Sequence, residues 1–117
     1  MLRLWRATVN SRNGLAFALR SEQAVREEVV AFLLSLPFAY VIGATPMRSV
    51  ELVCAVVLVL VVELLNTAIE KLADRLTTEH DLQIGRVKDL GSAAVGVALL
   101  MSGSFWLFAI AERLGLL

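Results

Sequence analysis

Five polar side chains at helical spacing follow an apolar stretch of this chain, and their types suit metal-assisted proton chemistry. At 100° per residue they fall within about 100° of arc, so they share one face of a helix. A carboxylate at the edge of an apolar segment is costly unless it has partners or a task. Acid and amide groups on one face can hold a divalent cation and accept a proton. The five residues are Glu63, Asn66, Thr67, Glu70 and Asp74.

A plainer interpretation of the last two acids remains open. Glu70 and Asp74 also suit the solvated end of a helix, since Lys71 and Arg75 alternate with them. Like charges four residues apart on a helix repel mildly, so their pairing gains nothing for the helix itself. Glu63 is harder to explain as a surface residue, because apolar residues precede it for several turns.

A second group of carboxylates lies in the basic N-terminal segment. Glu22, Glu27 and Glu28 are ordinary ion-pair partners for neighbouring arginines on a surface helix. They gain interest because the apolar segment that ends at Glu63 presents its acids at the same predicted depth. Mg²⁺ prefers one or two carboxylates together with phosphate oxygens. Glu22 and Glu70 are candidates for that pair.

Lys88 and Asp89 precede Gly91 and Ser92, where we predict another apolar helix to begin. Free N–H groups at a helix start, together with a lysine, make an anion site. The same pattern also fits a simple helix cap made by Asp89. His80, alone in a polar loop, is a solvated residue or a nucleotide contact rather than a metal ligand. No glycine-rich phosphate loop or nucleophile elbow is found.

The elements that must position these residues belong to a membrane protein. The chain has 117 residues, of which 58% are hydrophobic. Its charges gather mainly at residues 3–28, 70–89 and 112–113, with long apolar tracts between them. An ionised side chain in hydrocarbon is expensive, so this segregation is typical of membrane-spanning helices. The zero net charge hides the segregation and does not suggest a nucleic-acid partner.

We therefore predict an all-α membrane protein with a single domain over residues 1–117. Residues 1–28 form an amphipathic surface helix, which Gly14 divides into two pieces. Three transmembrane helices follow, at about 29–44, 50–70 and 91–111. A turn at residues 43–46 joins the first two, and a polar loop at residues 77–87 joins the last two.

Basic residues predict the orientation in the membrane. Nine of the eleven lysines and arginines lie in the N-terminal segment or at residues 70–89, and two lie elsewhere, Arg48 and Arg113. The positive-inside bias places the N-terminus and the 70–89 region in the cytoplasm. Three spans then place the C-terminus in the periplasm.

Three stretches resemble one family. Residues 63–75, ELLNTAIEKLADR, and residues 85–95, GRVKDLGSAAV, closely resemble the small prokaryotic diacylglycerol kinases. Residues 22–28, EQAVREE, resemble the surface helix of that family. The resemblance implies a homotrimer whose subunits each carry a surface helix and three spans. It implies an enzyme that is embedded among the lipids of the bacterial inner membrane. This enzyme transfers the ATP γ-phosphate to diacylglycerol.

The same resemblance implies roles for individual residues. Glu63 is the general base, and Glu22 and Glu70 hold Mg²⁺. A site shared between subunits is expected, for example with Glu22 from one subunit and Glu63 from its neighbour. The lipid substrate contacts are Arg3, Glu28, Glu63 and Ser92. The predicted ATP contacts are Arg3, Asn10, Glu22, Asn66, Glu70, Glu79, His80, Asp81, Lys88 and Asp89.

Two competing interpretations stay open at this point. An undecaprenol kinase has the same fold and phosphorylates a polyprenyl alcohol; the residues Gly91 to Ala94 after Lys88-Asp89 resemble the diacylglycerol branch instead. The other is a non-catalytic membrane subunit or a small ion transporter, because carboxylates inside a membrane also mark ion pathways. Such a protein has no need of Lys88 and Asp89 beside the glutamates.

Overall fold

Four α-helices make up the part of the chain that the computed structural model describes, residues 1–77 and 79–117. They are α1 (Leu2–Ser21), α2 (Gln23–Ile42), α3 (Pro46–Leu76) and α4 (Leu82–Arg113). The two long helices, α3 and α4, pack along each other, α2 packs against α3, and α1 contacts mainly α2. The all-helical prediction is confirmed. Thr78, in the predicted polar loop, lies outside the described residues.

The predicted surface helix ends earlier than residue 28. Glu22 is extended, with φ −120° and ψ 114°, and separates α1 from α2. The Arg26 guanidinium donates to the Leu19 and Arg20 carbonyls at 3.1 Å each, and so caps the end of α1 with a cation. Gly14 does not break the helix. A side chain from α2 therefore binds the last free carbonyls of α1 where the two helices separate.

The turn between α2 and α3 lies where the sequence predicts it. The Thr45 hydroxyl accepts the Arg48 N–H at 3.1 Å, and Pro46 occupies the first turn of α3. A Cβ on Gly43 would lie 2.8 Å from Ser49 N and 2.9 Å from Ala39 O. Only glycine fits this close approach of the two helices.

Side-chain contacts tie α3 and α4 together at the end where α3 begins. Leu52 is fully buried in a small cluster with Ala39 and Ala109. The Trp106 indole donates to the Leu52 carbonyl at 3.2 Å. The Arg48 guanidinium donates to Glu51 at 2.6 Å and to Glu112 at 3.0 Å. These contacts hold the end of the bundle opposite Glu70 and Asp74.

The exposed surface is that of a membrane protein. Leu100 and Leu107 of α4 are 74% and 70% exposed in the single chain, and apolar side chains on all four helices share this exposure. Both α3 and α4 are long and apolar enough to cross a membrane. Helix α2, which contains most of the first predicted span, does not meet the same test because its first third carries Arg26, Glu27 and Glu28.

The beginning of α4 corrects the predicted anion site. Asp81 caps the helix, and its Oδ1 accepts the N–H groups of Gln83 and Ile84 at 2.9 and 3.1 Å. Helix α4 therefore begins at Leu82, and Lys88 to Gly91 lie inside it. Their N–H groups are used within the helix, so no free helix start exists at Lys88. An aspartate does cap this helix, but the capping residue is Asp81 and not Asp89 as predicted.

Candidate functional site

The C-terminal half of α3 carries the predicted acidic face on one continuous helix. Asn66 and Thr67 are buried, while Glu63 and Glu70 are partly buried. Asp74 is exposed near the helix end. The two residues in the middle of the acidic face are therefore packed against the rest of the chain, whereas the three acids are partly or largely exposed to solvent.

Carboxylates from two elements meet beside Glu63. Those of Glu22, Glu28 and Glu70 lie close enough to interact electrostatically with the Glu63 carboxylate. Glu22 sits at the α1–α2 break and Glu28 lies in the second turn of α2. Partial burial, with a smaller contribution from Glu27, raises the pKa of Glu28 above its ordinary value. We call Glu22, Glu28, Glu63 and Glu70 the carboxylate cluster.

A lysine neutralises part of this cluster. Lys71 Nζ lies 2.8 Å from Glu22 Oε1, and the ammonium is 5.9 Å from the centre of the Phe17 ring. Hydrogen bonding and charge from Glu22 raise the pKa of Lys71, with smaller contributions from Asp74 and Glu70. The lysine thereby connects α3 to both α1 and the α1–α2 break.

The Asn66 side chain uses only its amide nitrogen for hydrogen bonding within the described residues. Its Nδ2 donates to Glu70 Oε1 at 3.2 Å. Its Oδ1 is buried and has no hydrogen-bond partner among the described residues. A buried carbonyl oxygen without a hydrogen-bond partner is costly. This one lies against the backbone of Gly91 on α4, where a Cβ would overlap it.

A polar cleft of about 300 Å³ lies next to the cluster, where α3 ends and α4 begins. Lys88 Nζ lies 2.5 Å from Asp74 Oδ1 and joins the two helices there. The cleft brings together several of the predicted ATP contacts with the end of the acidic face. Its polar lining includes Asp74, Thr77, Glu79, His80, Asp81 and Lys88.

Comparison with known proteins identifies the family. Residues 9–110 match the model of the prokaryotic diacylglycerol kinase family. The diacylglycerol kinase of Escherichia coli K12 is 37% identical over 113 residues, covering 97% of this chain and 93% of the relative. Those of Haemophilus influenzae and Pseudomonas aeruginosa are 37% and 35% identical, over 86% and 89% of this chain and 85% of each relative. The chain belongs to this family.

Within this member of the prokaryotic diacylglycerol kinase family, the predicted site residues fall into three groups. The carboxylate cluster and Asn66 meet on one face. Glu79, His80, Asp81 and Lys88 meet in the polar cleft, although the Asp81 carboxylate is already engaged as the cap of α4. Arg3 and Asn10 on α1, and Asp89 and Ser92 on α4, are exposed and make no side-chain hydrogen bond within residues 1–77 and 79–117.

Glu22 lies within electrostatic range of Glu63 in the single chain. The expectation that a site draws these two residues from neighbouring subunits stays a prediction. The α1–α2 break turns Glu22 back toward α3 and makes the in-chain approach possible. The exposed N-terminal part of α1, with Arg3 and Asn10, is not brought to the cluster.

The oxygen atoms present suit a magnesium ion held jointly with phosphate. No group of three or more histidine, cysteine, aspartate or glutamate side chains within the described ranges converges as a complete metal site. Magnesium does not require one, because it takes one or two carboxylates and completes its shell with phosphate and water.

Sequence reasoning missed two residues of this site. Lys71 was treated only as part of a solvated helix end, yet it pairs with Glu22 across 49 residues of sequence. Gly91 was considered only at a predicted helix start and in the family resemblance, not as a neighbour of Asn66. A Cβ at Gly91 would lie well under 3.0 Å from Asn66 Oδ1, closer than real Cβ atoms come to any neighbour. The alternation of Lys71 with Glu70 and Asp74 was the available signal for the first, and no pattern pointed to the second.

Gly91→Ala is expected to displace the Asn66 side chain and lower kcat by about 10- to 100-fold. A shift of about 1 Å in a group that positions the substrate can cost that much in rate. Gly103→Ala is the matched control on α4, because a Cβ there meets nothing within 4 Å. In an Asn66→Ala background, which removes the clash, Gly91→Ala should cost little more. Equal losses in both backgrounds would show that the glycine acts on something other than Asn66.

Proposed function

We propose that the chain phosphorylates the hydroxyl of diacylglycerol with MgATP, giving phosphatidic acid at the cytoplasmic face of the bacterial inner membrane. The observation that carries the proposal is the carboxylate cluster: Glu63 lies within electrostatic range of Glu22 and Glu70 on a helix long enough to cross a membrane, and the polar cleft begins further along that helix at Asp74. Membership of the prokaryotic diacylglycerol kinase family and the names of the relatives support it.

Glu63 is the proposed general base. Phosphoryl transfer asks for alignment and charge neutralisation more than covalent help from the protein. The Glu63 carboxylate accepts the proton of the lipid hydroxyl while that oxygen forms its bond to the γ-phosphorus. The bond from the γ-phosphorus to the β,γ-bridging oxygen breaks, and ADP leaves with that oxygen. A base at the end of α3 reaches a lipid headgroup without extracting the lipid.

The remaining roles surround this step. Glu22 and Glu70 hold Mg²⁺, which when bound neutralises phosphate charge. Asn66 and Lys88 position the phosphates, and Glu79, His80, Asp81 and Asp89 border the nucleotide. Arg3 and Asn10 approach the nucleotide from α1, and Arg3, Glu28 and Ser92 line the lipid side. These assignments rest on the family resemblance, with the cluster and the cleft as their structural support.

The proposed arrangement in the membrane places α1 in the cytoplasmic interface and α2, α3 and α4 across the bilayer. The bias of nine basic residues to two supports a cytoplasmic N-terminus and a periplasmic C-terminus. A reporter enzyme active only in the periplasm, fused after Leu117, tests this orientation and should be active. A stably produced but inactive fusion, together with activity of a cytoplasm-specific reporter at the same position, would overturn it.

A homotrimer is the proposed assembly. The first half of α4 exposes small residues, Ser92, Ala93, Ala94 and Gly96, on the single chain. Small residues let membrane helices approach closely, so this stretch suits contact with another helix. The extensive exposed apolar surface leaves room for both protein and lipid contacts.

The choice of lipid alcohol separates this proposal from an undecaprenol kinase. The names of the relatives favour diacylglycerol. Purified protein offered MgATP with diacylglycerol and undecaprenol in the same micelles should label diacylglycerol preferentially. Preferential labelling of undecaprenol would favour the alternative. Absence of labelled lipid, together with ATP-independent ion flux across vesicles that contain the protein, would favour a transporter.

Glu22→Gln and Glu70→Gln are each expected to raise the Mg²⁺ concentration needed for half-maximal activity by about tenfold or more. Even residues behind a metal ligand change affinity by that amount when replaced. If both residues serve one ion, the double variant should be little worse than the poorer single variant. Fully additive losses in a Mg²⁺ titration at fixed ATP would argue for separate tasks.

A further inference from the structure

Lys71 occupies a position that the proposed phosphoryl transfer does not use. It follows Glu70 directly, and its ammonium lies 2.8 Å from Glu22. Glu70 and Asp74 are also close enough to interact with that charge. Both carboxylates proposed to hold magnesium therefore lie beside a cation that belongs to the chain itself.

The two partners of this ion pair differ in their freedom to move. The Glu22 side chain is 21% exposed, whereas the Lys71 side chain is 52% exposed. A lysine carries its charge on a flexible four-carbon stem, so the ammonium can leave while the carboxylate stays. The Phe17 ring, 5.9 Å away on α1, gives the ammonium a second weak contact. Exposed ion pairs are weak, so the contact with Glu22 is reversible.

We infer that Lys71 is a built-in counter-ion of the carboxylate cluster, which binds Glu22 when no divalent cation is present and must release it before magnesium binds. This rests on the proposed role of Glu22 and Glu70 in holding magnesium. Lys71 is a positioning residue, because it acts through Glu22. It keeps the Glu22 carboxylate turned toward α3 and sets the cation concentration at which the site fills.

The sign of its effect on metal binding follows from charge. Removing the ammonium frees Glu22 from a competing partner and lowers the positive potential beside Glu70. Both changes favour a divalent cation. Lys71→Met keeps the length and apolar stem of the side chain and removes only the charge. Lys71→Arg keeps the charge and should keep the competition.

The test measures equilibrium binding of Mn²⁺, as a spectroscopic substitute for Mg²⁺, to the full-length protein in neutral detergent with a fixed concentration of a non-hydrolysable ATP analogue. The Mn²⁺ bound by the analogue alone is measured without protein and subtracted. Electron paramagnetic resonance of free Mn²⁺ gives the dissociation constant. Lys71→Met should bind Mn²⁺ about 3- to 10-fold more tightly than the unaltered chain, a modest gain because the displaced ion pair is exposed. Lys71→Arg should change the constant by less than about twofold.

Arg75→Met is the matched control, since Arg75 is exposed one helical turn further along α3. It should change the constant by less than about twofold, because a screened charge without contact to Glu22 acts weakly. Equal or weaker Mn²⁺ binding by Lys71→Met overturns the inference. An equal gain from Arg75→Met also overturns it, since net charge alone would then explain the effect.

The Glu22→Gln background distinguishes the inferred counter-ion role of Lys71 from the proposed metal-binding role of Glu22. Glu22→Gln should weaken Mn²⁺ binding and should abolish the gain from Lys71→Met. If Glu22→Gln leaves Mn²⁺ binding unchanged, the proposed metal role of Glu22 is wrong, and the competition fails with it. If Glu22→Gln weakens binding while Lys71→Met has no effect, the metal role stands and only the counter-ion role is wrong.

Discussion

Glu63→Gln lowers the rate of diacylglycerol phosphorylation by about 100-fold or more, the usual contribution of a general base. Glutamine keeps the size of the side chain and its compatibility with the helix but cannot accept the proton of the lipid hydroxyl. The helix itself should be unaffected, since Glu63 makes no side-chain hydrogen bond to the described residues. The measurement is kcat at saturating MgATP and lipid, with helix content and oligomer size checked by circular dichroism and gel filtration.

Glu51→Gln is the matched control for this change. Glu51 lies on the same helix, about 18 Å along the axis from Glu63, and accepts a hydrogen bond from Arg48 that glutamine can also accept. Its replacement should leave kcat within about twofold, as surface changes away from the site usually do. Near-normal turnover of Glu63→Gln would remove Glu63 from the role of base.

Mixed trimers should divide the site residues into those that act within one chain and those that come from a neighbour. If each site draws Glu22 from one subunit and Glu63 from its neighbour, subunits with Glu63→Gln mixed with subunits with Glu22→Gln should recover activity that neither parent has. If the mixture stays inactive while unaltered subunits diluted with either parent lose activity only in proportion to their share, both residues act within one chain, where they lie within electrostatic range of each other.

Arg3 provides the contrasting mixture. It lies on the exposed N-terminal part of α1, and the single chain does not bring it to the cluster. If a neighbour supplies it, equal amounts of Glu63→Gln and Arg3→Ala subunits should restore roughly one site in four, the share expected from random assembly of a cyclic trimer. Both parents must be inactive alone. No recovery would place Arg3 in the same chain as Glu63 or outside the site.

The acidic face of α3 was predictable because helical spacing alone aligns its members. Glu63 and Glu70 are two helical turns apart, and the structure keeps them on one uninterrupted helix. The turn at Gly43 to Pro46 was predictable from residues with strong local preferences. In both places the local pattern and the packing favour the same structure.

Two side-chain caps and one long-range ion pair account for features that the sequence pattern did not predict. Helix α1 ends at Ser21 with no glycine or proline beside it, because Arg26 of the next helix caps it. The polar composition of residues 77–87 suggested a loop, but the Asp81 cap starts α4 at Leu82. The pair of Lys71 with Glu22 joins residues far apart in the chain, and helical periodicity carries no information about such a pair.

The central claim is tested most directly by transfer of labelled γ-phosphate from ATP to diacylglycerol. Purified protein in detergent with Mg²⁺ should produce labelled phosphatidic acid, and the Glu63→Gln variant should produce about 100-fold less. Chromatographic identity of the labelled lipid distinguishes phosphatidic acid from polyprenyl phosphate. Absence of labelled phosphatidic acid from folded, unaltered protein, or equal labelling by Glu63→Gln, would contradict the account.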